Sequence, residues 1–433
     1  MSTASTRNPT RVSTFASFAI HNYRLFWISA LISNIGGWMA RIAQDWLILT
    51  ELTPGSASAL GIATALQFLP IPLLTPIAGA LADRFDKRKL LIVAQTGLGL
   101  VALVLYLLVA SGAIQLWHAF ALAFATGVCA AFEIPTRQAF VSEMVPLGLL
   151  SNAIGLNSAQ FNGARLIGPA VAGLLIAAVG VAPALLINAI SFLATITALI
   201  IMRAAELTPM PKARAERAIR DGFAYVRKSP TITLMLVVIF TMSTFGMNFQ
   251  LTNALMATEA FGKGATEFGL LGTLMAIGTL GGSVFAARRA RPRLRVLLAA
   301  LCGFAFFNAL GAVSPSFGWF GASLVGVGIC ALTVMTSCNA TVQLAADPLY
   351  RGRVMAVYMA VNMGGTPIGA PIMGWIGEIW GPRAILTIGS VATFIAFVAV
   401  SLYVILHDGI RLHLQASWPP VVIEHPEEAQ VTV

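Results

Sequence analysis

Charge is scarce in this chain. Lysine, arginine, aspartate and glutamate together make up 10% of its 433 residues, where a soluble domain carries about 25%. Too few polar side chains are present to coat a folded surface in water, which excludes an ordinary soluble enzyme or signalling module. Acid is scarcer than base, 17 residues against 27, but the excess base lacks the interleaved aromatics that stack on bases, so nucleic acid is not an expected partner. The four cysteines, Cys129, Cys302, Cys330 and Cys338, lie in apolar stretches without metal-ligand spacing. They read as small packing residues, with no disulfide framework and no metal site expected. No His/Cys/Asp cluster supplies the nucleophile, base or ligands of an embedded enzyme, so neither catalytic residues nor a cofactor are expected. The first thirteen residues are polar and the first apolar block is too long for a signal core, so no cleavable signal peptide is expected either.

Apolar residues are what the chain has in excess. They make up 58% of it, and its mean hydropathy is +0.83. They come in blocks of the length that crosses a hydrocarbon core, roughly 18 to 25 residues. Twelve candidate spans fall at about 25–49, 57–81, 89–112, 116–141, 152–178, 181–202, 231–257, 267–287, 295–313, 317–344, 354–378 and 383–406. Turn residues such as Thr53-Pro54-Gly55, Ser314-Pro315 and Gly381-Pro382 mark the joints. The class is therefore an all-α integral membrane protein with the lipid bilayer as its solvent. Its parts are a short N-terminal segment (1–24), a six-helix bundle (25–202), a linker (203–230), a second six-helix bundle (231–406) and a tail (407–433) that reads as disordered.

Basic residues set the orientation. Of the 27 lysines and arginines, 23 fall in the termini and in alternate joints, all on one side of the alternating spans. Only Lys263 and Arg383 fall on the opposite side, with Arg41 and Arg165 inside spans. Positive charge is retained on the cytoplasmic side, which predicts cytoplasmic termini, an even number of spans and an inner or plasma membrane location. In the linker, Glu216 to Arg227 repeats apolar residues at helical spacing, the pattern of an amphipathic helix on the membrane surface.

The two halves echo each other at an offset of 201 residues. Gly127 and Cys129 match Gly328 and Cys330, Ala139 matches Ala340, and Gly168, Gly173 and Gly180 match Gly369, Gly374 and Gly381. These matches fall in corresponding spans and predict a parallel repeat: two related bundles around a central cavity.

Ionisable groups inside spans are costly unless paired or facing water, so they mark a pathway. Arg41 and Asp45 lie four apart in the first span, Glu133 and Arg137 four apart in the fourth, and Arg165 near the middle of the fifth. The i, i+4 spacing allows each pair to satisfy itself within its helix. It equally suits carboxylates that exchange protons or coordinate cargo, the role assigned here to Asp45 and Glu133. Asn34, Gln44, Asn157, Asn162 and Asn248 could line a polar route, with Gln67, Asn188, Asn253, Asn308, Asn339 and Asn362 as weaker candidates.

The joint after the second span reads Gly79-Ala-Leu-Ala-Asp83-Arg84-Phe-Asp86-Lys87-Arg88. It resembles the signature loop of the major facilitator superfamily, and the resemblance implies that Asp83 and Arg84 act as a conformational latch. The corresponding joint of the second half keeps glycine and arginine (Gly281, Gly282, Arg288) but lacks the aspartate, so the latch should be asymmetric. Gly168-Pro169-Ala-Val-Ala-Gly173 is similar to the element that marks antiporters in that superfamily, departing from it at Ala172. Stretches such as Asn22 to Trp27, Gln44 to Leu47, Arg165 to Pro169 and Arg351 to Met355 resemble the efflux-permease branch that includes the enterobactin exporter. The resemblance covers about Asn22 to Tyr403. It implies the major facilitator fold and a cavity lined by the first, fourth, seventh and tenth helices. The function it implies is proton-driven export of small amphipathic molecules, drugs or siderophore-like metabolites, by a monomer. An uptake symporter is the alternative.

Overall fold

A computed structural model describes residues 13–208, 218–287, 293–407, 411–414 and 421–424. Twelve long helical segments run through them: α1 (His21–Leu52), α2 (Ala57–Ala82), α3 (Lys87–Ala110), α4 (Leu116–Met144), α5 (Leu147–Val179), α6 (Val181–Ile201), α7 (Pro230–Ala260), α8 (Ala265–Ala286), α9 (Leu294–Ala312), α10 (Phe317–Ala345), α11 (Arg351–Trp380) and α12 (Pro382–Leu406). By length and apolarity eleven of these qualify as membrane spans, and α11 falls short. Its 30 residues are ample, but Asn362, Thr366 and a run of glycines and prolines from Gly364 to Gly374 dilute its hydropathy. Large apolar side chains such as Leu73, Val93, Leu174 and Leu406 remain exposed. An outer surface this apolar needs lipid against it.

Local chemistry explains where the helices start and bend. Ser56 caps α2 by accepting from the Ala59 amide, and Asp86 caps α3 by accepting from Lys89. Pro70 interrupts α2 at mid-length because it has no amide proton to give the ladder. Gly180 and Gly381 take left-handed φ values of 85° and 80° and turn the chain between α5 and α6 and between α11 and α12.

The repeat is visible in the packing. In α4, Gly127 sits so close to the α2 backbone that a Cβ would strike the Gln67 carbonyl, and in α10 its counterpart Gly328 meets Met275 of α8 in the same way. Cys129 lies under Gly97 of α3, and Cys330 under Gly303 of α9. Gly173 of α5 packs on Ala265 and Gly269 of α8, while Gly374 of α11 packs on Ala57 and Ser58 of α2. The two bundles therefore meet along two equivalent crossings, α5 with α8 and α11 with α2, each stripped to small residues so that backbones approach closely.

These crossings are not uniform along the membrane normal. The end carrying the basic joints is called here the basic end, and the other the far end. Among the described residues, the hydrogen bonds joining the bundles lie between mid-membrane and the far end. They are Thr273 Oγ1 to the Leu166 carbonyl (3.2 Å), and Ser58 N–H (2.8 Å) and Ser56 Oγ (3.1 Å) to Glu378 Oε2. The Trp46 and Phe268 rings stack across the same half, their centroids 6.2 Å apart. Toward the basic end, a Cβ placed on Gly79 of α2 would meet nothing within 4 Å.

Three expectations need correction. The seventh span is not one continuous helix: Met247 and Asn248 leave helical geometry, with wide π-turns at Met242–Gly246 and Met256–Ala260 on either side. The linker helix, Ala218–Lys228, does not rest on lipid alone. Val226 is buried, Gly222 abuts the Arg353 backbone of α11, and Tyr225 stacks on Tyr350 at 5.0 Å. Part of its apolar face, at Tyr225 and Val226, is covered by the second bundle, while Phe223 stays exposed. The tail holds some order: Arg411–Leu414 (β1) pairs antiparallel with Val421–Glu424 (β2). Alternation in Arg-Leu-His-Leu and the β-branched run Val421-Val422-Ile423 suit a strand pair.

Candidate functional site

Trp38 and Arg41 lie three apart on α1, and Arg165 and Pro169 four apart on α5, so each pair shares a helix face. Those faces meet Thr64 and Phe68 of α2 and, across the bundle interface, Phe268, Gly272 and Met275 of α8. They close on a cavity of about 190 Å³. The broken stretch of α7 supplies further wall through Asn248, Gln250 and Asn253, and α11 adds Thr366. The break coincides with a contact from α9 and a hydrogen bond within α7. The Phe304 ring presses on Gly246 (a Cβ there would lie 2.9 Å from it), and the Asn248 amide donates to the Thr244 carbonyl at 2.7 Å. That carbonyl, freed by the unwinding, is thereby satisfied.

The guanidiniums are held by rings. Arg41 lies 5.2 Å from the centroid of Trp38 and 5.3 Å from that of Phe68, and Arg165 lies 5.6 Å from Trp38. One indole thus borders both cations. Three ion pairs are formed among the described residues, Lys87–Glu143, Arg137–Glu133 and Arg203–Glu206. Neither Arg41 nor Arg165 takes part in any of them.

Two further cavities lie nearby, one sharing a wall with the first and the other sharing Asn34 and Phe161 with that second one. One of about 370 Å³ lies within the first bundle, bounded by Asn34, Gln44, Gln67 and Asn188, and has Trp38, Arg41 and Phe68 in common with the central cavity. The other, about 500 Å³, lies toward the basic end between α1, α4 and α5 and is lined by Asn34, Arg137, Asn157 and Asn162. A chain of cavities with polar side chains among their walls therefore runs from the basic end to Arg41.

The sequence candidates separate into groups on this frame. Arg41, Arg165 and Asn248 come together at the central cavity; Asn34, Arg137, Asn157 and Asn162 come together nearer the basic end, and Gln44 lines the chamber between. Asp45 is buried one turn beyond Arg41; it forms no ion pair, and its Oδ2 has no hydrogen-bond partner. Glu133 is buried and satisfied, accepting from Arg137 Nε and from Gln95 Nε2 (3.2 Å), while Arg137 also donates to Asn34 Oδ1 (3.3 Å). Asn157 accepts from the Tyr23 hydroxyl and Asn162 donates to the Ser158 carbonyl.

Gly168 packs on Trp38 of α1, whereas Pro169 and Gly173 pack on Gly269, so the Gly168-Pro169-Gly173 element divides between the α1–α5 contact and the α5–α8 crossing. Gly79 and Asp83 belong to the helical stretch that ends at Arg84, away from these cavities; the Asp83 side chain lies outside the described residues. Arg84 is exposed, whereas Arg88 donates to the Leu199 and Ile200 carbonyls and caps the end of α6. Sequence reasoning missed Trp38 and Gln250, and also Glu378 with Ser56 and Ser58. An aromatic in an apolar span looks like packing. The only hint of the α7 break was Gly246 two residues before Asn248.

The model of a family described as "transmembrane secretion effector" matches residues 12–428. The staphyloferrin A transporter of Staphylococcus aureus is 25% identical over 376 residues, covering 86% of this chain and 93% of that one. The enterobactin exporter EntS of Shigella boydii is 24% identical over 322 residues, 71% of this chain and 74% of that one. The macrolide efflux protein A of Streptococcus pyogenes is 32% identical over a shorter stretch of 127 residues, 29% of this chain and 31% of that one. Among solved structures, a bacterial homologue of the human lysosomal transporter Spinster superposes with a TM-score of 0.67 at 14% identity, over 89% of this chain and 95% of that one. The nucleoside transporter NupG gives 0.65 at 11% identity, over 88% and 99%. These two share the fold.

Proposed function

Because the chain belongs to the transmembrane secretion effector family and is a secondary transporter of the major facilitator superfamily, not an enzyme, we propose that it exports small amphipathic molecules by proton-coupled antiport. The carrying observation is a cavity between two pseudo-symmetric bundles that are hydrogen-bonded to each other toward the far end, with a series of chambers leading to it from the basic end. With the basic end cytoplasmic, as positive charge in the joints supports, this is the state that loads cargo from inside the cell. Both termini are then cytoplasmic, the membrane is the inner or plasma membrane, and the monomer is the working unit. Relatives named for enterobactin export and macrolide efflux support the outward direction and a cargo of drugs or siderophore-like metabolites.

Transport follows if the α5–α8 and α11–α2 crossings act as the surfaces about which the bundles rock. In the opposite state the far end parts and the basic end closes. The empty space beside Gly79 is then filled, and Asp83 and Arg84 latch that end. Asp45, buried with a free oxygen, and Glu133, whose partner Arg137 faces a cavity, are the groups that bind and release the proton as access alternates. The test is uptake of a fluorescent drug into everted vesicles under an imposed pH gradient. Accumulation should stop when a protonophore collapses the gradient, and Asp45→Asn or Glu133→Gln should uncouple it while counterflow exchange persists. Accumulation that is indifferent to the gradient would rule the mechanism out.

A further inference from the structure

We propose that the cavity between the bundles takes an anionic cargo: an amphipathic molecule whose carboxylate, or comparable anionic group, is held between the guanidiniums of Arg41 and Arg165. The proposal rests on the reading of this cavity as the transport site and adds the charge of what occupies it.

The argument begins with what the two arginines lack. Both line the cavity, and neither has a carboxylate within ion-pair distance among the described residues. Asp45, the nearest acid in sequence, is not among the lining residues, and no Asp or Glu is. Ring faces hold each guanidinium in place without using its N–H groups, so the donors stay available to a ligand. Two cations gathered on one indole repel each other, more strongly as the surroundings exclude water. An anion between them removes that repulsion, and the planar fork of arginine matches a carboxylate in bidentate fashion.

Neutral groups of the same wall fit the rest of such a molecule. Gln250 Nε2 is a buried donor without a partner, and Asn248 Oδ1 and Asn253 Oδ1 are buried acceptors without one. Buried polar atoms are normally satisfied, so three unpaired ones in the side chains of this wall leave bonds that a ligand can supply once those amides turn toward it. Phe68, Phe268 and Met275 offer apolar surface opposite. A cationic drug, by contrast, would meet two fixed positive charges in a confined space.

Three dansyl probes that differ in charge test this on the purified full-length protein: dansylglycine (anion), dansylglycinamide (neutral) and dansylcadaverine (cation), with binding read as energy transfer from tryptophan. Dansylglycine should bind at least about tenfold more tightly than the amide, a difference of about 1.4 kcal/mol, and dansylcadaverine should bind more weakly than either. Arg41→Gln and Arg165→Gln should each abolish the preference for the anion while amide binding persists, which shows that the cavity is still formed. Arg41→Lys and Arg165→Lys should keep part of it. Equal affinity for the three probes, absence of binding by all of them at millimolar concentration, or a preference that survives both glutamine variants overturns the proposal. Gradient-driven export is scored separately in everted vesicles: export without charge preference defeats this inference alone, and preference without export defeats the export reading alone.

Discussion

Replacing Glu378 with glutamine should loosen the far end of the transporter by a predictable amount. The Glu378 carboxylate, on the last turns of α11, accepts from the Ser58 amide at 2.8 Å and from the Ser56 hydroxyl at 3.1 Å, so it sits on the N-terminus of α2 in the other bundle. Two effects stabilise it: hydrogen bonds to an ionised acceptor and the positive end of the α2 dipole. The group is exposed, and screening by solvent holds their sum to about 1 kcal/mol. A bias of that size changes the ratio of closed to open far ends about fivefold. The assay is a spin-label distance distribution between Ser111→Cys and Ser316→Cys, exposed positions at the far end of each bundle, with the four native cysteines replaced by serine. Glu378→Gln should move the population toward the longer distance by about that factor. Ser58→Pro should do the same, because it removes the donated amide at a position of the first helical turn where proline is tolerated. If both variants leave the distribution unchanged within about twofold, the contact does not bias closure and the reasoning fails.

Other consequences can be checked separately. Gly61→Val would drive a side chain into the Ala370 backbone at the α2–α11 crossing; overpacking of about 1–3 kcal/mol should cut transport about five- to a hundredfold. Gly148→Ala, which meets open space, should leave transport unaltered in the same vesicle assay. Glu133→Gln leaves the Arg137 guanidinium without its counter-charge and should cost about 3–5 kcal/mol, read as a lower melting temperature of the purified protein. Glu133→Gln combined with Arg137→Gln should regain most of that loss. Arg88→Ala removes the cap on α6 and should cost about 1–3 kcal/mol in the same melting assay, whereas Lys89→Ala, an exposed side chain, should stay within about 0.5 kcal/mol.

What the sequence reveals about this protein is what depends on local pattern. Span positions follow from apolar runs. The repeat follows from residues such as Gly127 and Cys129 with their counterparts Gly328 and Cys330, which turn out to make equivalent contacts in both halves. The Glu133–Arg137 pair was legible in its spacing because both partners lie on one helix. The same spacing misleads at Arg41 and Asp45: they share a helix face, but the guanidinium turns to Trp38 and Phe68 instead. That choice depends on where α2 lies, which no local pattern encodes. The α7 break is similar, since it coincides with Phe304 of α9 pressed against Gly246. The contact of Glu378 with Ser58 joins residues 320 apart in the chain. Site features made by one helix were readable, and those made between helices were not.

The two halves share a skeleton but not a chemistry, and this bears on where coupling can occur. The buried acids of the described residues, Asp45, Glu133 and Glu143, all lie in the first bundle, as do Arg41 and Arg165. Among the described residues from Pro230 to Leu406 every charged one falls at or near a helix end, and the buried polar groups are amides and hydroxyls such as Asn248, Asn253 and Asn308. Charge is costly in a membrane interior and is kept where a function uses it, whereas an amide satisfies itself against its own helix, as Asn308 does on the Phe304 carbonyl. Under the proposed proton coupling, the proton would therefore be carried by the first bundle. The second bundle responds through shape: the interrupted α7 brings unpaired amide atoms to the wall that faces Arg41 and Arg165. On the proposed reading, cargo bound between the bundles would touch the ionisable groups of one and the interrupted helix of the other. Its charge would then bias the closure of both crossings together, which is the linkage that alternating access requires.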